Sequence, residues 1–268
     1  MRTFIQFYTD ILHKVTVFYK QMQLEKLEKT TGRTLAVSIP EILAMAVYKH
    51  AHGIPTKKSI FNTFRPACSY KTLVVNMNRF ALLALMMIMR ILAFNRQQAH
   101  IIKHTDATDI PVCMKKNGKY HRTMRGIAEW GNSGKGSFYG LKLHLTTDLD
   151  RKILAIRFST ATADDREIFL KLNDDLLGIF VADAGYVSEK LQKDFHLEGK
   201  RILFTQPRKN MKKLITEFQY HLYNTRMRIE LNFRSLKMFC GLITSLPRSI
   251  NGYLANYLFA ILSYQIAF

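Results

Sequence analysis

Acid is what this chain has least of relative to need. Its 268 residues carry 20 Asp and Glu against 40 Lys and Arg, a net charge of +20. A surplus that large in a chain of globular length favours a polyanionic partner, nucleic acid foremost, over a membrane surface. The excess is not a tail: residues 1–100 hold 14 basic and 4 acidic side chains, and residues 101–268 hold 26 and 16, so each part contributes +10. Cysteine is scarce as well. Cys68, Cys113 and Cys240 lie far apart with no CxxC spacing, which argues against a disulfide framework or a structural zinc and suits a reducing cytosol. Long apolar runs are missing: the stretches 80–89 and 253–268 fall short of a bilayer span and predict buried helices. No signal peptide is evident, and no GxxxxGK[ST] loop announces ATP hydrolysis. The expectation is a cytoplasmic protein with no membrane and no nucleotide cofactor.

What the chain does contain divides near residue 98. Residues 1–98 read as helices. Phe4, Phe7, Tyr8, Ile11, Val15, Phe18 and Tyr19 recur at helical spacing, and Ser38-Ile-Pro-Glu41 carries the N-cap and capping-box pattern that opens a second helix through about Ala51. A short helix near 59–64 and a long one over 69–95 follow, with Lys57, Lys58, Arg65 and Lys71 around the turns. This all-α domain is expected to bind DNA ends; a helix-turn-helix and a plain helical bundle both fit.

From residue 99 the period changes to that of strands. Residues 100–104, 137–146 and 152–158 predict an antiparallel meander, with Asp106 ending the first strand. Then come a helix capped at Asp164 or Asp165, a strand over 178–182 ending at Asp183, a helix capped at Ser188, a strand over 201–205 and further helices. Three strands, then helix, strand, helix, strand, helix is the order of a ribonuclease-H-like α/β domain, a mixed five-stranded sheet flanked by helices, here spanning 99–268. Trp130 is expected in the core.

The stretch 223–237 concentrates the chemistry. A helix advances about 100° per residue, so Tyr223, Arg226, Glu230, Arg234 and Lys237 share a stripe beside an apolar one of Leu222, Ile229, Phe233, Leu236 and Cys240. One Glu among cations is ordinary pairing. Two strand-end aspartates that meet it are more, because neighbouring carboxylates repel and persist at a site mostly when cations neutralise them. Asp106, Asp183 and Glu230 would make an all-oxygen cluster suited to Mg²⁺ or Mn²⁺. Two such ions about 4 Å apart serve the attacking and leaving oxygens of a phosphodiester.

The pattern Tyr223-x2-Arg226-x3-Glu230-x6-Lys237 resembles the tyrosine-arginine-glutamate-lysine signature of DDE transposases from bacterial insertion sequences. Asp106-Ala-Thr-Asp-Ile-Pro-Val-Cys113 and Ala182-Asp183-Ala-Gly185-Tyr186 resemble that family's two aspartate segments. Phe138-Tyr-Gly-Leu-Lys142-Leu-His144-Leu resembles the strand between them, and Thr205-Gln-Pro-Arg208-Lys-Asn210-Met-Lys212 its basic loop. By local wording the nearest relatives are the insertion-sequence group numbered 982. The resemblance implies that Asp106, Asp183 and Glu230 bind two Mg²⁺ ions. It implies nicking of the element's terminal repeats by water, then attack of the freed 3′-hydroxyl on target DNA; pairing two element ends in such a reaction calls for a homodimer or higher assembly. Ala107 and Ala184 depart from the family, which usually has Ser or Thr and Lys there; neither is a metal ligand.

Around the acids, Tyr223, Arg226, Arg234 and Lys237 are read as facing DNA, Arg226 and Lys237 holding phosphates. Lys142 and His144 share a strand face, either toward the scissile strand or simply solvated. Arg208, Lys209, Lys212 and Lys213 form a loop cluster for backbone contact or a solvated run. The alternatives to a transposase are a metal-dependent nuclease of the same fold that does not join strands, and a catalytically inactive DNA-binding copy.

Overall fold

The computed structural model describes residues 3–28, 34–134, 136–207, 211 and 214–267. They form two compact units, one of residues 1–91 with 235–268 and one of residues 92–234. This differs from a single division at 98/99. The reason is the last helix, α10 (Ile250–Ala267), whose residues are apolar nearly all round and mostly buried. A helix without a polar face must be surrounded, and α10 packs with the N-terminal helices rather than the sheet.

The first unit holds α1 (Phe4–Gln21), α2 (Ile39–Ala51), α3 (Lys57–Phe64), α4 (Tyr70–Arg79), most of α5 (Ala81–Gln97) and α10, with a π-helical turn at Ser235–Phe239. Capping chemistry sets the starts. Ser38 Oγ accepts from Glu41 N at 3.4 Å while Glu41 Oε2 accepts from Ser38 N at 2.9 Å, and Thr3 with Gln6 repeats the device at α1. Each such cap satisfies helix-end amides that have no partner within the helix. α2 is buried from Ile42 to His50 and packs on α1 and α10. The long helix expected over 69–95 is two, α4 and α5, interrupted at Phe80. Taken together, the 28 residues Tyr70–Gln97 are long and apolar enough to cross a membrane by length and composition, with a mean hydropathy of 1.7 over an 18-residue window. That exceeds the short apolar run read from 80–89. Leu73, Met77, Ala84 and Met87 are nevertheless buried inside the protein, as in a core helix.

The second unit is built on a mixed sheet of six strands, one more than expected: β1 (Ile102–Pro111), β2 (Glu129–Ser133), β3 (Gly136–Asp148), β4 (Ile153–Thr160), β5 (Gly178–Ala182) and β6 (Arg201–Thr205), in the order β2-β3-β1-β5-β6 with β4 also on β3. β3 is the shared member. One edge pairs antiparallel with β1 along its length; the other is divided end to end, β2 taking residues 136–140 and β4 residues 141–147. Gly140 stands at the changeover, where a Cβ would come within 2.1 Å of the Ile110 carbonyl oxygen. β1, β5 and β6 run parallel.

Side-chain alternation separates the two faces. Thr105, Thr146, Phe180 and Ala182 look toward α6 (Asp165–Leu172) and α7 (Glu189–Phe195), where Phe169, Phe180, Phe195 and Tyr186 form the core. His104 looks the other way, toward α8 (Glu217–Thr225), and α9 (Met227–Arg234) packs on β1 and β3. Trp130, expected in the core, is 40% exposed. Its strand β2 is an edge strand, and its ring leans on Tyr139 of β3 at 5.5 Å between centroids.

Candidate active site

β1 is twice as long as the strand read from the sequence, so Asp106 lies within it rather than at its end. On the β3 edge pairing continues through Asp106 and beyond. On the β5 edge the last pair is His104 with Val181. Asp106 is therefore the place where β1 outruns β5, and continuing the parallel register brings it level with Asp183. Alternation turns both carboxylates to the α8–α9 face, since Asp106 shares parity with His104 and Asp183 with Val181.

Glu230 arrives on α9. That helix is oriented by Ile229 and Phe233, both buried, and by two polar clamps to the β3–β4 turn. Asn232 is fully buried; its Oδ1 accepts from Arg151 Nε and its Nδ2 donates to Arg151 O, both at 2.9 Å. Arg228 donates to Leu149 O at 2.7 Å. Arg151 holds the turn with φ +68°, a conformation few non-glycine residues adopt. These clamps fix the rotation of α9 and with it the direction of Glu230. None was singled out from sequence, because their partners lie some 80 positions away and most are backbone atoms.

Arg226 joins two of the acids. Its guanidinium lies 3.5 Å from Asp106 Oδ2 and 2.8 Å from Glu230 Oε1. The helix tightens around it: Arg226 N bonds Tyr223 O, and Ile229 N bonds Arg226 O, each one residue shorter than the α pattern. Thr225 Oγ1 donates to Leu222 O at 2.6 Å and accepts from His104 Nε2 at 2.8 Å, pinning that turn to β1. Burial holds the His104 imidazole down to about 4, so it stays neutral.

Asp106 pays electrostatically for its position. Burial raises its carboxyl from the usual 3.8 to about 7, and the charges of Asp183 and Glu230 push the same way, against the Ala107 amide (2.8 Å to Oδ1) and Arg226. Two further acids beside a desolvated carboxylate constitute a demand for positive charge.

Asp183 caps a single 3₁₀ turn, its Oδ1 accepting from Gly185 N at 2.8 Å. A Cβ on residue 185 would sit 2.9 Å from that oxygen and force the carboxylate to shift. Arg166 Nε donates to Gly185 O at 3.2 Å, and Tyr186, 3% exposed, anchors the turn in the α6–α7 core. Tyr186 stood in the second-aspartate segment read from the sequence without a structural role, and Arg166 went unremarked.

Other expected site residues fall elsewhere. His144 pairs with Ala107 across the ladder, and paired residues share a face, so His144 and Lys142 lie opposite Asp106. His144 is 1% exposed and bonded to Ser159 Oγ at 2.8 Å; Lys142 reaches Asp165 at 2.9 Å and Ala163 O at 3.1 Å. Neither a solvated face nor a place among the acids describes them. Tyr223 is half-buried and Arg234 exposed in the second unit, whereas Lys237 falls in the first, in the π-helical turn. Arg208, Lys209, Lys212 and Lys213 lie outside the described residues.

The donor chemistry and the electrostatics of Asp106, Asp183 and Glu230 fit a hard divalent cation. The spacing in this conformation does not make them a ready ligand set: among the described residues no three of His, Cys, Asp and Glu lie close enough to hold an ion together. Arg226 occupies the charge-neutralising role between two of them.

Comparison with known proteins agrees with this layout. The chain is similar in fold to the piggyBac transposase, seen by cryo-EM in a synaptic complex with hairpin DNA, with a TM-score of 0.50 and 12% identity over 95% of this chain and 70% of that one. No curated protein matches the chain. Residues 96–250, more than half of the sequence and all three acids, match the transposase DDE domain, and on that extent the chain belongs to the DDE transposase family.

Proposed function

We propose that this transposase cleaves DNA at the ends of its own element and joins the freed 3′ ends to target DNA, with Asp106, Asp183 and Glu230 as the catalytic and metal-binding acids. The observation that carries the reading is Arg226 shared between Asp106 and Glu230 beside a carboxyl raised to about 7. DDE transposases generally use divalent metals, and the acids here are all-oxygen donors of the kind Mg²⁺ or Mn²⁺ prefers. Two bound ions would supply Lewis-acid stabilisation of the phosphodiester oxygens and a more acidic attacking water. The protein's own part is placement. The β1–β5 offset sets Asp106 beside Asp183, and the α9 clamps aim Glu230 at them. Arg226 then turns from the acids to a DNA phosphate once cations neutralise them, a role suited to its planar fork.

On this reading the sheet is ribonuclease-H-like, with β2 an added edge strand, and the group numbered 982 remains the nearest kin by its signature. Residues 1–98 bind the terminal repeats. Tyr223, Arg234 and Lys237 contact DNA, together with Arg208, Lys209 and Lys212, and two or more copies pair the element ends in the bacterial cytoplasm. The test is incubation of the protein with labelled element ends, a plasmid and Mg²⁺. Joined products are expected. Cutting without joining would leave the nuclease of the same fold, and DNA binding without cutting an inactive copy.

A further inference from the structure

The first unit contains a cavity of about 500 Å³ between α2, α3, α4 and the start of α10, within the usual size range of small-molecule sites. Its lining includes Lys49, Lys57, Lys58 and Arg248 and not one Asp or Glu. Arg226 and Lys142, by contrast, each reach a carboxylate. Lys49 is only 7% exposed and makes no side-chain hydrogen bond or ion pair among the described residues. Lys57 has a neutral partner, the Asn78 amide oxygen. Lys58 is held over the rings of Phe61 and Tyr70, 5.0 Å from each centroid. Burial lowers Lys49 to about 8, helped by the charge of Lys57, and lowers Lys57 to about 8 as well. Burying like charges together is costly unless an opposite charge joins them. Part of the remaining wall is apolar, formed by Val74, Met77 and Phe259 beside the Tyr70 ring, while His50, Thr56, Asn78, Thr244, Ser249 and Asn256 add polar groups elsewhere in the lining.

We propose that this cavity binds a nucleotide, its phosphate between Lys49 and Lys57 and its base on the apolar wall by Tyr70. Phosphate is the anion that makes use of several convergent ammonium donors, and a flat aromatic base is the apolar group that a ring edge and a methionine accommodate. The site lies wholly within the helical unit and does not depend on the acids of the sheet. A terminal nucleotide of a DNA strand and a free mononucleotide share this chemistry.

Calorimetry with the full chain in EDTA tests it, using a deoxyadenosine dinucleotide with and without a 5′-phosphate. The phosphorylated form is expected to bind about tenfold more tightly. Lys49→Met and Lys57→Met should each abolish that preference, whereas Lys71→Met, which removes the same charge outside the cavity lining, should retain it. Melting temperatures of the variants report folding, and Arg248→Ala at the exposed rim provides a second probe should a buried variant not fold. Equal affinity for the two dinucleotides, or a preference kept by the Lys49 and Lys57 variants, overturns the site. Inorganic phosphate that competes as strongly as the phosphorylated dinucleotide overturns the nucleotide assignment. No cleavage step is read, so failure here leaves the transposase reading standing.

Discussion

The two units bury charge of opposite sign and leave it in the same predicament. In the sheet unit a carboxylate, Asp106, is desolvated beside two further acids, and one arginine spans part of the deficit. In the helical unit an ammonium group, Lys49, is desolvated beside a second lysine, and no acid lines the space. Folding alone seldom tolerates such arrangements, because a well-packed apolar residue in either place is the more stable choice. Ligands do favour them: each unit is weakened by self-repulsion that a counter-ion of the right sign relieves. The contrast lies in preparation. The acids have a built-in substitute cation in Arg226, whereas Lys49 has no substitute anion.

The sharpest way to break the comparison is to remove an acid and read chemistry. Asp183→Asn or Glu230→Gln should lower strand cleavage by about a thousandfold or more while DNA affinity, read by fluorescence anisotropy, stays within about twofold. Loss of affinity instead would make these acids structural.

Next in size is stability. Asp106 titrates near 7 when folded and near 3.8 when unfolded, so its burden on the fold sets in as pH rises from about 4 and is complete above about 7. In EDTA, Asp106→Asn should therefore gain on the order of 2–4 kcal/mol at pH 8 and nothing below pH 4. Lys49 gives the mirror image. Its ammonium titrates near 8 when folded against 10.5 unfolded, so the burden is complete below about pH 8 and vanishes above about 10.5. Lys49→Met should gain on the order of 1–3 kcal/mol at pH 7, fading toward pH 10.5. Denaturant melts across pH check both. Two curves of the same slope sign would erase the distinction between the units.

The smallest expected effect sharpens the role of Arg226. If its guanidinium passes from acids to phosphate, Arg226→Ala should reduce the salt slope of DNA binding by about one and slow cleavage. An unchanged slope would confine it to neutralising Asp106 and Glu230.

Much of the second unit was legible because local chemistry punctuates it. The strand at Gly178–Ala182, the helix after Ser188 and the strand at Arg201–Thr205 match their sequence signals, since caps and turn residues mark their ends. β2 escaped notice because Glu-Trp-Gly-Asn-Ser has no apolar alternation; its place comes from pairing with β3. The extension of β1 through Asp106-Ala-Thr-Asp is equally non-local, three poor strand formers and one Thr held by the β3 ladder. The acids were visible as a triple. Their mounting was not, because Asn232, Arg228 and Arg166 act on backbone atoms of remote turns. Alternation placed Lys142 and His144 on one face correctly, yet which face depended on register with β1, something only the fold decides.

Gly140 has a last implication. It lies on β3 where one outer neighbour ends and the next begins, paired with Glu129 of β2 and pressed against the Ile110 carbonyl. A side chain there would be a wedge, prying the β2 hairpin outward while the half of the strand beside Asp106 stayed gripped by β1 and β4. The hairpin is thus a detachable porch on a fixed house. A residue added to or removed from β2 would act on that porch, while Asp106 keeps its pairing with Leu145 of β3.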